Sequence, residues 1–385
     1  MKWLFVTLEF PWPLDHGTWL RVYHLARALR RTGDEVSLLS CAGSPEGIDH
    51  YRQLGIDVLD GPKEPGPRRG RSRNFLGPYV FHPPLAKSLD RCASRFHAVV
   101  LVRPILLQYA REAARGGCVI ADVVDDPFLE ERREFRREYD PRRWLRRVRF
   151  LAGEYYYERK YLDRVDVTTL VSDHDTNGFQ TRHPGRKVAT ISNGVDTAYF
   201  HPPNKPDHGP NGRPRVTFLG NLLHPPNEDA AIYLVRQIAP LIWSRVPETE
   251  VVILGSNPSP GVRELSGPRV TVTGWVPDVR PMLWSSTVTL LPMRAGTGIK
   301  NKLLESWAAG TPVVTTRLAC QGVPARDGTN LLLGDTADEL ADRAVALIRD
   351  RHLGIRLASN GRRTVEESMT WDQAAENLRQ HVRKN

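Results

Sequence analysis

Short apolar runs alternate with longer segments of helical period along most of the chain. The runs fall at about residues 2–8, 35–40, 97–102, 118–124, 166–171 and 187–191, and again at 216–219, 251–254, 270–272, 288–291 and 312–315. Apolar runs without strict polar alternation predict strands buried on both faces. Helical-period segments between them, such as 227–245, predict crossovers. The pattern is that of repeated βαβ units in mainly parallel sheets, an α/β chain. It stops once, at residues 201–214, a stretch rich in Pro, Gly and Asn with no period, and then restarts. This stretch is expected to link an N-terminal domain, 1–200, to a C-terminal domain, 201–370. A last helix, about 371–385, is expected to pack back on the first domain.

Composition keeps the picture within ordinary globular proteins. The chain has 385 residues, 40% of them hydrophobic and 25% charged, which suits two domains and excludes collagen-like, coiled-coil and largely disordered classes. No apolar run approaches the length of a membrane span, and the segment following Met1 is too short for a signal-peptide core. Cys41, Cys92, Cys118 and Cys320 are widely spaced, so neither a disulfide framework nor a zinc site is expected, and a reducing cytoplasm fits. The net charge of +10 is concentrated: residues 68–149 hold nineteen Lys and Arg against ten Asp and Glu.

The segment Pro292–Thr315, PMRAGTGIKNKLLESWAAGTPVVT, carries the most chemistry: strand, Gly-rich turn, helix, strand. Gly296 and Gly298 permit close backbone approach, and the helix that follows offers free N–H groups and a positive dipole end to a phosphate. Lys302 and Glu305, three apart, share a helix face, so a cation can meet a phosphate while a carboxylate accepts from ribose hydroxyls. An ordinary βα turn with a surface Lys–Glu pair would show the same spacing.

Several motifs extend this segment. They are Leu304-Glu305 followed by Ala309-Gly310-Thr311-Pro312-Val313-Val314, Asn193-Gly194-Val195-Asp196 with Phe200, Phe218-Leu219-Gly220, and Gly274-Trp275-Val276-Pro277-Asp278. With them the chain resembles the retaining glycosyltransferases of family 4, including bacterial exopolysaccharide and natural-product sugar transferases. The resemblance implies the GT-B fold, two Rossmann-like doubly wound parallel-sheet domains facing a cleft. It also implies transfer of a sugar from a nucleotide-sugar donor to an acceptor hydroxyl with retention. The nucleotide-sugar is then a co-substrate, and no cofactor is expected. By the same resemblance Glu305 binds the donor ribose, Gly296, Thr297, Gly298 and Ile299 approach its diphosphate or sugar, and Gly274, Trp275 and Val276 flank the base. Two departures stand out. The family's first Glu would fall at Thr297, and the Arg and Lys usual after the first strand of the second domain are replaced by Asn221 and its neighbours after Gly220. Phosphate neutralisation then falls to Lys302, with Lys300 and Arg294 as further candidates. No metal is called for, since the helix N-terminus and Lys302 supply the positive charge.

On the N-terminal side, His16, Gly17 and Arg21 follow the first strand and resemble the glycine loop of such enzymes, with Gly17 near the donor phosphates and His16 and Arg21 as site residues. Asp122, Asp125 and Asp126 are expected to converge at a strand end, with Asp122 and Asp125 as acceptor-side candidates that orient a hydroxyl or act as a weak base. A helix cap would account for them equally. The run Arg132–Arg149 carries nine Arg with Trp144, Leu145, Val148 and Phe150, which suits an anionic membrane face or a solvated salt-bridged helix. The acceptor could be a lipid-linked saccharide, a polysaccharide or a natural product, and no nucleic acid is expected. The location is then cytoplasmic, at or near the inner face of a membrane. Rival readings are a sugar-nucleotide epimerase of the same fold, whose opening motif this sequence lacks, and a noncatalytic binder with a degenerate nucleotide site, which Thr297 favours.

Overall fold

The computed structural model describes residues 1–14, 17–63, 79–129, 131, 140–203 and 212–383. The chain divides into two compact units: Met1–Ser192 joined by the segment from Trp371, and Asn193–Thr370.

The first unit is built on seven strands: β1 Lys2–Val6, β2 Glu35–Leu39, β3 Asp57–Val58, β4 Ala98–Val102, β5 Cys118–Val124, β6 Val167–Leu170 and β7 Val188–Thr190. They lie in the order β3-β2-β1-β4-β5-β6-β7, and every pairing is parallel. The central strands β4 and β5 are buried along their whole length, which is why they read as apolar runs, interrupted only by Asp122 in β5. The helix Gly17–Arg31 covers one face with Val22, Leu25, Ala26 and Leu29. The C-terminal helix Trp371–Arg383 packs against it: Trp371 stacks on His24 at 5.0 Å, and Arg379 donates to Asp34 at 2.8 and 3.0 Å.

The second unit holds β8 Arg215–Leu219, β9 Glu250–Leu254, β10 Val270–Gly274, β11 Val288–Leu291, β12 Val313–Thr315 and β13 Leu332–Leu333. These run parallel in the order β10-β9-β8-β11-β12-β13. The expected helix at 227–245 is found as Pro225–Tyr233 and Ala239–Trp243, joined through a π-helical turn at Leu234–Ile238 just ahead of Pro240, which has no N–H to give the ladder. Trp307 anchors the core, fully buried, with its Nε1 donating to the Asn330 carbonyl at 2.8 Å; a Cβ at Gly361 would meet its ring at 2.3 Å.

The boundary falls at 192/193 and not at 200. The Arg362 guanidinium holds the carbonyls of Thr197 and Phe200, and Val195 bridges Thr370, so the segment after Ser192 is part of the second unit.

Candidate functional site

In the second sheet, chain order runs outward from β8 on one side and from β11 on the other. The crossovers therefore part between these two strands and leave a crevice at their carboxyl ends. The loops leaving these strands are those of Gly220-Asn221 and of Pro292–Lys300. Bare backbone is required here. A Cβ on Gly255, after β9, would lie 1.8 Å from the Gly220 carbonyl oxygen, and one on Gly220 would lie 2.7 Å from Lys302 Nζ. Gly296 and Gly298 take φ of 103° and 67°, conformations that other residues reach only with strain.

The helix Asn301–Ala308 follows the second of these loops. It starts on Lys300 without a side-chain cap and with no acid in its first turn, so its leading amides and positive end are turned to the Gly-rich loop. Lys302, half-buried, donates from Nζ to Asn227 Oδ1 at 2.6 Å and lies 4.6 Å from the centre of the Phe218 ring. Asn227 is itself fixed, its Nδ2 donating to the Asn221 carbonyl at 2.8 Å. Among the described residues Glu305 has no hydrogen-bond or ion-pair partner, so Lys302 and Glu305 share a face without closing on each other. Burial, and then the neighbouring Lys300 charge, pull the Lys302 ammonium down to about 7, against the pull of Glu305; burial pushes the Glu305 carboxyl up to about 7, opposed by Lys302. A cation and a carboxylate held short of full ionisation suit a ligand that brings phosphate charge to one and hydroxyl donors to the other.

Other expected donor contacts are arranged differently. Arg294 is paired with Asp229 through two nitrogens, one at 3.0 Å, and lies over the Tyr233 ring at 4.3 Å, so it is already engaged. Lys300 folds back on its own loop, donating to the carbonyls of Thr297 and Gly298, and braces that turn. Thr297 is half-exposed and Ile299 is buried. At the end of β10, Gly274 takes φ of 71°, then Trp275 is 73% exposed and Val276 half-buried, while Asp278 caps the next turn by accepting from the Arg280 N–H at 2.9 Å. Asn193 Nδ2 donates to Asn301 Oδ1 at 3.1 Å, bringing the Asn193–Asp196 motif onto the start of the Asn301–Ala308 helix.

In the first unit the corresponding reversal lies between β1 and β4. There the structure corrects two expectations. Arg21 is fully buried, donating to both oxygens of Asp122 at 2.8 and 2.9 Å and to the Ile191 carbonyl at 2.8 Å; Asp122, 2% exposed, also accepts from Thr169 Oγ1. The pair is an internal tie between the Gly17–Arg31 helix and the sheet, and it presents nothing to an acceptor. The carboxylates do not converge either: Asp126 is fully buried and held by Arg182 at 2.9 Å, and only Asp125 is partly exposed. An Asp-x-Asp spacing at Asp173–Asp175 serves a helix start, where Ser172 caps the Asp175 N–H. Gly17 opens its helix in open space; His16 and residues 132–139 lie outside the described residues.

What the carboxyl ends of β1 and β4 do enclose is a cavity of about 220 Å³, lined by Thr7, Glu9, Thr18, Trp19, Tyr79 and Arg103 among others. Among the described residues the Thr7 hydroxyl, buried there, has no hydrogen-bond partner. Arg103 is exposed and takes φ of 76°, and Val124 at the end of β5 takes 72°, so backbone strain collects along this edge of the sheet, as it does at ligand sites. Sequence reasoning missed Arg103, Trp19 and Asn227, and named Phe218 only as part of a motif. A charged residue placed directly after an all-apolar strand was the available signal for Arg103.

Comparison with known proteins follows this division. The sequence model described as Glycosyltransferase Family 4 matches residues 16–199, and that described as Glycosyl transferases group 1 matches residues 213–350. A stretch of 99 residues is 39% identical to the lipopolysaccharide core biosynthesis glycosyltransferase LpsE of Rhizobium meliloti (strain 1021), covering 25% of this chain and 29% of that relative, so less than a third of LpsE is matched. Among solved structures, Anabaena HepE in complex with UDP-glucose superposes with a TM-score of 0.71 at 14% identity, covering 100% of both chains. Sucrose-phosphate synthase from Thermosynechococcus elongatus gives 0.70 at 15%, covering 100% of this chain and 98% of the other. At such identities the likeness is one of fold, the GT-B fold of two parallel-sheet units.

Proposed function

Since the chain belongs to the glycosyltransferases, with a Family 4 domain followed by a group 1 domain, we propose that it moves a sugar from a nucleotide-sugar donor to an acceptor hydroxyl, with retention of anomeric configuration and without a metal ion or resident cofactor. The observation that carries this reading is the β8/β11 crevice, where glycine backbone, an uncapped helix N-terminus, Lys302 and an unpartnered Glu305 meet. The binding of UDP-glucose by HepE, a protein of the same fold, supports it.

The donor diphosphate lies along the Gly296–Gly298 loop and the first amides of the Asn301–Ala308 helix, with Lys302 at the phosphate and Glu305 accepting from ribose hydroxyls. The bond from the anomeric carbon to the β-phosphate oxygen breaks with its electron pair going to the phosphate, where Lys302 and the helix end take up the charge. The acceptor oxygen attacks the same face of the oxocarbenium-like centre and gives its proton to the departing phosphate, so no carboxylate nucleophile is used. The acceptor belongs to the first unit, at the cavity lined by Glu9, Trp19 and Arg103. A lipid-linked saccharide, a polysaccharide end or a natural product each offers the required hydroxyl. The setting is a bacterial cytoplasm; among the described residues no helix is long and apolar enough to cross a membrane.

A thermal-shift series with UDP, GDP and dTDP and their sugar conjugates, with and without a chelator, tests the reading. One nucleotide family should raise the melting temperature equally in both conditions, by about 2.7 kcal/mol of added stability at a hundred times Kd. Glu305→Ala should lose donor turnover while keeping its fold. No shift with any nucleotide overturns the proposal.

A further inference from the structure

The outer side of the helix Pro141–Tyr161 carries large apolar side chains as well as basic ones. The helix is capped by Asp140, which accepts from the Arg142 N–H at 2.8 Å, and it buries Gly153, Glu154, Tyr157 and Glu158 in the first unit. Its outer side carries Trp144 (44% exposed), Leu145 (56%), Tyr155 (40%) and Tyr156 (48%). The spacing 144, 148, 155 and 145, 152, 156 places these on one stripe with Val148 and Ala152. They are half of the large apolar side chains that the described residues leave most exposed; the other four, Tyr199, Leu223, Trp275 and Ile355, all belong to the second unit.

On the helix itself the exposed charges have one sign, and the exposed Asp140 just before it pairs with Arg143 at 3.7 Å. Arg142, Arg143, Arg146, Arg149, Arg159 and Lys160 are exposed, and Arg147, half-buried, is paired with Glu131. The two acids of the helix, Glu154 and Glu158, are both fully buried. An exposed aromatic and aliphatic stripe inside a cationic collar matches a surface that is apolar beneath and anionic above. A second copy of this chain presenting the same face would bring like charges together. A nucleic acid would offer phosphates to the arginines and nothing to Leu145 or Val148.

We propose that this face docks the protein on an anionic lipid bilayer surface, the helix lying in the plane of the headgroups with Trp144, Leu145, Tyr155 and Tyr156 at the acyl boundary and the arginines at the lipid phosphates. The proposal is independent of the transfer reaction and of the donor crevice.

The test is co-sedimentation of the full chain with vesicles of phosphatidylcholine alone and with roughly one lipid in three replaced by phosphatidylglycerol. The protein should pellet with the anionic vesicles and stay in solution with the neutral ones, and the bound fraction should fall as salt rises from about 0.05 to 0.5 M. Each arginine removed should weaken partitioning about fivefold, so Arg142→Gln with Arg146→Gln and Arg149→Gln should weaken it about a hundredfold. Trp144→Ser with Leu145→Ser should abolish sedimentation while leaving the collar intact. Both variants should keep the parent melting temperature and the parent response to UDP, which separates failure of docking from failure of the transfer reading. Equal binding to neutral vesicles, unchanged partitioning of the serine variant, or tighter binding of duplex DNA than of anionic vesicles would each overturn the proposal.

Discussion

Replacing Arg21 by Met separates two roles that this arginine could hold. In the folded chain its guanidinium makes two bonds to Asp122 and one to the Ile191 carbonyl, and neither Arg21 nor Asp122 reaches solvent. Met fills the stem of the side chain but leaves the Asp122 carboxylate with one remaining donor, Thr169 Oγ1 at 2.8 Å, in a place water does not enter. Breaking one partner of such a buried pair costs about 3 to 5 kcal/mol. For a unit of about 200 residues this corresponds to a fall in melting temperature of about 6 to 20 °C. Replacing both partners, Arg21→Met with Asp122→Leu, should recover much of the loss, because an apolar pair of similar volume carries no stranded charge. The assay is thermal and urea denaturation of the full chain beside donor turnover at a temperature well below the variant's melting point. Stability should fall while turnover per folded molecule stays near the parent value. A variant that melts within about 1 °C of the parent and yet loses turnover would return Arg21 to the reacting groups and refute the assignment of the pair as a tie.

Three further outcomes follow from the same geometry. Gly255→Ala puts a Cβ 1.8 Å from the Gly220 carbonyl at a φ of +156° and should cost about 3 kcal/mol and the nucleotide-induced thermal shift, whereas Gly267→Ala, with open space around it, should be near neutral by the same melting assay. Lys302→Met should weaken UDP binding about 10- to 100-fold by calorimetry. Because burial and Lys300 pull the ammonium down to about 7, parental affinity should fall as pH rises past 7, and the Met variant should lose this part of the fall, keeping only what ionisation of Glu305 contributes. Glu154, fully buried, is pushed up to about 7, chiefly by burial, with the Tyr79 hydroxyl pulling the other way. Between its ordinary value of 4.5 and about 7 the folded chain holds the proton that the unfolded chain has lost, so stability should fall as pH rises through this window, by about 3 kcal/mol at pH 8, and Glu154→Gln should flatten the slope in urea titrations.

How far the sequence reaches depends on the range of the interaction being read. Strands buried on both faces of a parallel sheet carry their environment in their own composition, so β4, β5, β8 and β11 were legible as apolar runs; β3 and β13, two residues each, are too short to leave a pattern. The Pro- and Gly-rich run expected to be the linker lies largely outside the described residues, and the edge lies where Arg362 gathers the carbonyls of Thr197 and Phe200, a contact over more than 160 positions. The Gly-rich loop and the Lys302–Glu305 face were legible because their partners are local. Asn227, which holds Lys302 across 75 positions, was not. Arg21 and Asp122 stand between these cases. Arg21 falls on the same helical stripe as Leu25, Ala28 and Leu29, and Asp122 is the one carboxylate in the otherwise unbroken apolar run Cys118–Val124. A charge that the period places on a buried stripe must be paired, and a carboxylate inside a buried strand needs the same. Each was therefore marked as internal by its own neighbours, and reading them as exposed site groups set aside the periodicity that located the helix and the strand.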